Sequence, residues 1–450
     1  MSREDPLKAE KDFTATLDEQ FPQIDVLGAS DYKSALDKLL LLEKQTRQSS
    51  DLASSKRVLL KIVQLLVANN DWELLNEQVT LLAKKHGQLK NAVQAMVQEV
   101  INHLETIAGN EKLTIATIEN IRNVTENKIH VEVERARVSK KLSEIYFAKG
   151  DLDKAVEILC DLQVETYGLM ELREKTEFIL QQVQLTVLQK DFTQAKIISK
   201  KILVKTIAKF ADLKIRYYKL AIEISLHAHE YLAVVTHYLA IVDILKAHPD
   251  LMPSATEYQQ ILVAIIYFVI LSPYDNLQSD LINKIKVNPL FQKVTPHFEL
   301  VKLFTTKELT RWPILQENFD TVLFASVTFD LKTAAGAQHY KDLKSRVIEH
   351  NLRVVSEYYS QISTKRLTTL LDLTESESEQ FISDLVTKGI IYARINRPAR
   401  IISFSKPKDQ NDLLNDWCND IDSLLDHVET IGHMITKEEM MNKIKVTGKA

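Results

Sequence analysis

Glycine, proline and cysteine are all scarce in this 450-residue chain. Its 9 glycines and 10 prolines together come to about a third of average usage. A sandwich, barrel or propeller turns the chain every few residues and draws heavily on both, so the shortage argues against those folds. It also leaves little material for glycine-rich phosphate loops. Two cysteines, Cys160 and Cys418, cannot by themselves make a disulfide framework or a structural zinc site, and they fit a reducing compartment. No sign of charge dominates. The 57 Lys and Arg stand against 61 Asp and Glu, for a net charge of −4, so nothing draws the chain generally toward nucleic acid or an anionic membrane. Long hydrophobic runs are missing too. The longest, 261–271, has eleven residues, whereas a bilayer needs about 20; it predicts a buried helix. The opening Met-Ser-Arg-Glu-Asp-Pro lacks the apolar core of a secretory leader. The expected location is cytoplasm and nucleus.

What the chain does contain is a repeat of about 40 residues. Asp31-Tyr32 is followed by Ala35, Asp71-Trp72 by Leu75, Asp151-Leu152 by Ala155, Asp191-Phe192 by Ala195, and Glu230-Tyr231 by Val234. Gly109-Asn110-Glu111 stands where the missing copy belongs, with Ile115 at the small or apolar position. Ser30, Asn70, Asn110 and Gly150 precede their acids. Gly and Asn end helices in the left-handed conformation and Asp caps the next one, so each period reads as helix, tight turn, helix. Between turns the apolar spacing is helical: Leu152, Val156, Leu159 and Leu162, then Leu180, Val183 and Leu188. Such hairpins bury their apolar faces only by stacking, as in a tetratricopeptide-like solenoid. After Pro249 and Pro253 the period fades. Helices are expected at 257–271, 276–286, 298–304 and 306–319. The stretch 325–338, with Gly336 and no apolar period, reads as a linker.

From Tyr340 the pattern changes. An amphipathic helix is expected at 340–360, carried by Leu343, Val347, Leu352, Val355 and Tyr359, and a short one at 364–371. Thr374 and Glu377 have the spacing of a capping box and open a third helix, with Phe381, Ile382, Leu385 and Val386 on its buried side and Gly389 at its end. Two strands follow, 390–395 and 400–405, around the turn Asn396-Arg397-Pro398-Ala399. Three helices and a hairpin make a winged helix. The third helix carries Glu375, Glu377, Glu379 and Asp384 against Lys388 alone, and such a helix is repelled by duplex phosphates. Arg394, Arg397 and Arg400 on the hairpin keep a nucleic-acid reading open, but edge pairing of the small sheet with another chain is favoured.

Beyond the hairpin, Leu414, Trp417, Ile421, Leu424, Val428, Ile431 and Ile435 step by three and four in strict alternation. That narrow heptad seam belongs to a helix that packs on partner helices or folds back onto its own chain. No phosphate loop, dinucleotide fingerprint, nucleophile elbow or HExxH motif is present. His227-Ala228-His229 is the nearest metal signal, and it lies in a repeat turn. A zinc metalloprotease would need further ligands there. Cys160 sits beside Leu159 and Leu162 as a small core residue, and Cys418 has no histidine placed to activate it. No cofactor, no metal and no catalytic set is expected, and the chain reads as a scaffold rather than an enzyme.

Helical hairpins running into a winged helix resemble the PCI family, shared by the proteasome lid, the COP9 signalosome and a translation initiation factor. Longer strings narrow the resemblance: DLASSK at 51–56, KKHGQLK at 84–90, VTENKI at 124–129, EVERARV at 132–138, LCDLQVETYG at 159–168, LFTTKELTRW at 303–312 and RVIEHNLRVVSEYY at 346–359. From about residue 30 to 440 they are similar to a fungal-type non-ATPase subunit of the proteasome regulatory-particle lid. The resemblance implies a mainly α fold with an N-terminal arm (1–28), a solenoid (29–250), a helical part of the PCI domain with its linker (251–339), a winged helix (340–406) and a bundle helix (409–446). It implies lid assembly for degradation of ubiquitinated proteins. The implied partners are other PCI and MPN lid subunits, including the deubiquitinating metalloprotease, with the ATPase ring and core particle, and neither nucleic acid nor membrane. For the bundle the contact residues would be Leu414, Trp417, Ile421, Leu424, Val428, Ile431 and Ile435. For the winged-helix sheet edge they would be Ile390, Ile391, Tyr392, Ile395, Ile401 and Phe404. A signalosome subunit and a nucleic-acid-binding PCI protein remain as alternatives.

Overall fold

The structure is a computed structural model that describes residues 13–49, 51–85, 88–104, 111–126 and 128–442. The chain divides into two compact units between Pro253 and Ser254.

The first unit is a run of helices: α1 (Thr14–Ser30), α2 (Tyr32–Gln48), α3 (Leu52–Ala68), α4 (Trp72–Lys84), α5 (Lys90–His103), α6 (Glu111–Thr125), α7 (Glu132–Lys149), α8 (Leu152–Cys160), α9 (Leu172–Leu188), α10 (Phe192–Lys200), α11 (Val204–Ile207), α12 (Ala211–His227) and α13 (Tyr231–Ala247). Helices pack on their neighbours and on the next but one: α3 on α1 and α5, α4 on α6, α5 on α7, α10 on α12. This is the stacking of a solenoid. The turns are built alike. Asn70, Gly150, Lys190 and His229 are all left-handed, with φ of 55°, 87°, 68° and 55°. At each, the following acid donates its N–H five residues back: Asp71 to the Leu66 carbonyl, Asp151 to Tyr146, Asp191 to Thr186, Glu230 to Ser225. These are Schellman turns that satisfy carbonyls at the helix end. Asp31, Asp71 and Asp191 then cap the next helix through their side chains, while Asp151 and Glu230 hold the same place without a side-chain cap. Ala35, Leu75, Ala155, Ala195 and Val234 are all buried, since the tight turn brings the first turn of the second helix against the first. Gly109 and Asn110 lie outside the described residues; α6 begins in register at Glu111, and Ile115 is half-buried.

The segment expected as an arm, residues 1–28, is described from residue 13. There it is helix, and Leu17 and Ile24 are buried in the same core as α2 and α3. Arg57 and Lys61 of α3 pair with Asp18 and Asp25 of α1 at 2.7 Å each. Residues 14–28 therefore belong to the first hairpin.

The second unit opens with α14 (Ala255–Leu271), α15 (Asn276–Val287), α16 (Pro289–Gln292), α17 (Thr295–Thr305) and α18 (Trp312–Phe324). The helix expected at 306–319 starts only at Trp312, because Trp312-Pro313 begins a helix better than it continues one. The expected linker is packed structure. Val327–Phe329 is a 3-10 turn, Phe329 is buried, and its ring meets Tyr267 and His339 edge-on. His339 Nδ1 donates to the Thr328 carbonyl at 2.8 Å. Thr333 caps α19 (Ala334–Tyr358), so this helix starts six residues before the expected one. Gly336 is there because a Cβ would lie 2.2 Å from the Asp330 carbonyl oxygen.

The winged helix comprises α19, β1 (Gln361–Ser363), α20 (Thr364–Leu371), α21 (Glu375–Thr387), β2 (Arg394–Asn396) and β3 (Ile401–Ser403). The capping box of Thr374 and Glu377 is formed, and Gly389 is left-handed. The sheet is antiparallel in the order β1-β3-β2, with Ile362 and Ile395 both opposite Ile402. Three residues are too few to announce β1 by alternation. The last described element is α22 (Gln410–Met441).

Candidate assembly interface

α22 begins at Asp409, whose carboxylate accepts the Gln410 N–H at 2.8 Å. None of its residues is buried. Leu414, Trp417, Ile421, Leu424, Val428, Ile431 and Ile435 all face solvent, Trp417 and Leu424 at 63% exposure and Ile421, the least, at 41%. Among the described residues the helix does not fold back on its own unit. The apolar face is also wider than the seam, since Leu413, Leu425 and Met434 flank it and are equally exposed. The heptad count passed over these three because they break the three-four step. Their signal is their place one turn from a seam residue.

The polar side of α22 is acidic. Lys408 and Asp416 pair at 2.5 Å just where the helix leaves the hairpin, which draws the lysine pKa up. His433 and Glu429 stand 3.5 Å apart. An exposed apolar face this long on a helix is the surface pattern of a docking element.

The winged-helix residues are arranged differently from the sequence reading. β3 is the central strand, so Ile401 and Phe404 do not lie on an edge. Phe404 packs in the core with Ile348, Leu385 and Ile402, and its N–H donates to the Ser360 carbonyl at 2.9 Å. Ile390, Ile391 and Tyr392 precede β2 as irregular chain, and Ile390, Ile391 and Ile395 pack against the same core. The run of β-formers at 390–395 reads as one strand, whereas only Arg394–Asn396 pairs. The open edges belong to β1 and β2, and each is three residues long.

Two features bear on the other chemistries. Arg397 of the wing reaches back to Glu379 of α21 at 2.9 Å, so the hairpin cation nearest the acidic helix is engaged within the chain. In the His227–His229 turn, the His227 ring stacks on Phe192 with centroids 3.9 Å apart, and His229 Nδ1 is 3.4 Å from the Tyr231 hydroxyl. Among the described residues no group of three His, Cys, Asp or Glu could hold a metal ion, and no helix is long and apolar enough to cross a membrane. Cys160 is half-buried, and desolvation raises its pKa; Cys418 is exposed on α22.

α19 joins the winged helix to the helices before it. Asn351 Oδ1 accepts the Thr310 N–H at 2.9 Å and its Nδ2 donates to the Thr310 carbonyl at 2.8 Å. The Arg353 guanidinium lies 3.7 Å from the centre of the Tyr274 ring. Glu349, almost fully buried, takes Arg346 at 2.6 Å and Lys388 at 3.6 Å. The sheet and the root of α22 therefore stand on a tightly bonded frame.

Three family models match the chain. Residues 34–250 match "PSMD12/CSN4, N-terminal", residues 306–406 match the PCI domain, and residues 411–443 match "26S proteasome regulatory subunit RPN5 C-terminal domain". The chain is 53% identical to the 26S proteasome regulatory subunit RPN5 of Saccharomyces cerevisiae, over 99% of its own length and all of that protein. It is 41% identical to rpn501 of Schizosaccharomyces pombe, over 97% of this chain and 98% of that protein. It is 40% identical to the 26S proteasome non-ATPase regulatory subunit 12 of Dictyostelium discoideum, over 91% and 90%.

Proposed function

Since the chain belongs to the RPN5/PSMD12 family of 26S proteasome regulatory subunits, we propose that it is a non-catalytic scaffold of the regulatory-particle lid, needed for lid assembly and ubiquitin-dependent degradation. The observation that carries this reading is α22, a 32-residue helix with an apolar face that nothing among the described residues of its unit covers. Burying one such side chain contributes on the order of 1.5–3 kcal/mol. Seven seam residues can hold a subunit in a complex even after the ordering costs of association.

The partners are other PCI and MPN subunits of the lid, the deubiquitinating metalloprotease among them, with the ATPase ring and core particle. The work is done in cytoplasm and nucleus. The signalosome alternative draws on the N-terminal family model, whose name spans both complexes; the match over 411–443 and the names of the full-length relatives favour the proteasome. The acidic α21 and the Arg397–Glu379 pair weigh against nucleic acid. The stacked His227 weighs against a metalloprotease.

The test is affinity purification of the tagged chain from its own cells at moderate salt, with mass spectrometry of what co-purifies. Near-stoichiometric proteasome regulatory subunits, ATPases and core particle are expected. Signalosome subunits alone, or RNA-associated factors alone, would overturn the assignment.

A further inference from the structure

Among the described residues nothing requires Gly432 to be glycine. It lies in the middle of α22, and its φ is not among the left-handed ones. A Cβ added to it would meet nothing within 4 Å. Glycine is among the costliest residues in a helix interior, and this helix has no packing of its own to offset that cost.

The position supplies a reason from outside. Cys418, Leu425 and Gly432 follow one another at seven-residue steps. Each stands four residues after one of Leu414, Ile421 and Val428 and three before the next seam residue in the series that ends at Ile435, so the row runs along one flank of the seam. Around Gly432 the seam residues are Val428, Ile431 and Ile435, all β-branched and stiff at χ1. A bare backbone ringed by stiff side chains forms a shallow notch, where a second helix can approach closely. Asp422 stands four residues after Cys418 and Glu429 four after Leu425, so carboxylates bound the outer side of the row. Between 410 and 436 the helix carries Asp412, Asp416, Asp420, Asp422, Asp426 and Glu429 and no Lys or Arg. Asp416 is taken by Lys408, and Glu429 stands 3.5 Å from His433.

We propose that the flank Cys418–Leu425–Gly432 is a second contact face of α22, distinct from the seam, on which a basic partner helix lies with its backbone nearest Gly432 and its Lys or Arg side chains against Asp422 and Glu429. The occupant is basic because the flank is bounded by acids that no Lys or Arg answers among the described residues; a second copy would bring the same acids. The proposal rests on the assembly reading above and adds to it which face is covered and by what charge.

Cys418 reports on the row directly. The full chain alone and the assembled particle are treated with N-ethylmaleimide, and the modified peptides are followed by mass spectrometry; half-buried Cys160 is the internal reference. Cys418 is expected to react roughly tenfold or more slowly in the particle, because access governs thiol reaction. Gly432→Leu is expected to lower incorporation severalfold while circular dichroism of the free chain shows helix retained or increased. Asp422→Lys with Glu429→Lys is expected to lower incorporation and flatten its dependence on salt. Reaction of Cys418 at the free rate in the particle would overturn the proposal. So would normal incorporation of both variants, or protection that comes from a dimer of the free chain. Failure of the chain to enter any particle defeats the assembly reading instead, and that outcome is visible before any thiol is counted.

Discussion

α14 and α22 are both rich in large apolar residues, and the second unit uses them in opposite ways. In α14 the apolar residues run all round the helix, and every residue from Ala264 to Leu271 is buried. In α22 they keep to one side, acids hold the other, and every large apolar residue is exposed. A helix apolar all round must be enclosed by its own domain. A helix with one apolar face can wait for a partner, because its acidic side keeps it soluble meanwhile. The amount of apolar surface is thus a poor guide to where a core lies, and its distribution round the helix is the better one.

Substitutions separate the two cases. The largest effect on the chain itself is expected from Ile265→Asp in α14. It puts a carboxylate at a fully buried site and should cost about 5 kcal/mol, read as loss of the cooperative melt of the free chain. The same change on α22 should do nothing to that melt. Ile421→Asp with Val428→Asp is expected to leave the free chain folded while removing on the order of 3–6 kcal/mol of association. Co-purification should then fall to background, and normal co-assembly would contradict the account.

Smaller effects test the frame on which α22 stands. Gly336→Ala drives a Cβ into the Asp330 carbonyl and should cost about 3 kcal/mol, measured by chemical denaturation. His350 is held neutral by burial and then by the Arg353 guanidinium, with its pKa pushed down to about 4. In the unfolded chain it titrates near 6.5. Between those values the unfolded chain binds the proton and the folded chain does not. Stability is therefore full above about pH 6.5 and falls as pH drops toward 4, by on the order of 3 kcal/mol from this group. His350→Gln should flatten that slope. His237 and His297, also shifted down by burial, keep the remainder.

The repeat, the winged helix and the seam were legible because each rests on local chemistry: an acid that caps, a box of Thr374 and Glu377, a three-four step. The misreadings share a different cause. Lys190 and His229 take the left-handed turn that Gly150 takes, yet neither residue type advertises it, so the repeat is more regular in backbone than in sequence. Residues 325–338 looked like a linker because Gly336 suggests freedom. Its lack of a side chain instead lets the helix meet the Asp330 carbonyl, a contact set by packing and invisible to periodicity. The sheet edge is not legible because β1 is three residues long and far from β3 in sequence. Without β1, β3 passes for an edge and Phe404 for a surface residue. In α22 the seam was plain but its flank was not, since Leu425 and Gly432 acquire meaning only once the helix is seen to stand uncovered.

Amide hydrogen exchange across residues 410–441, in the free full chain and in the particle it enters, puts the account of α22 to the test. Rapid exchange in the free chain and strong protection in the particle are expected, deepest around Ile421–Gly432, because a helix without packing opens readily and a buried one does not. Equal exchange in both states would mean that the apolar face stays in water after assembly, and the account would be wrong.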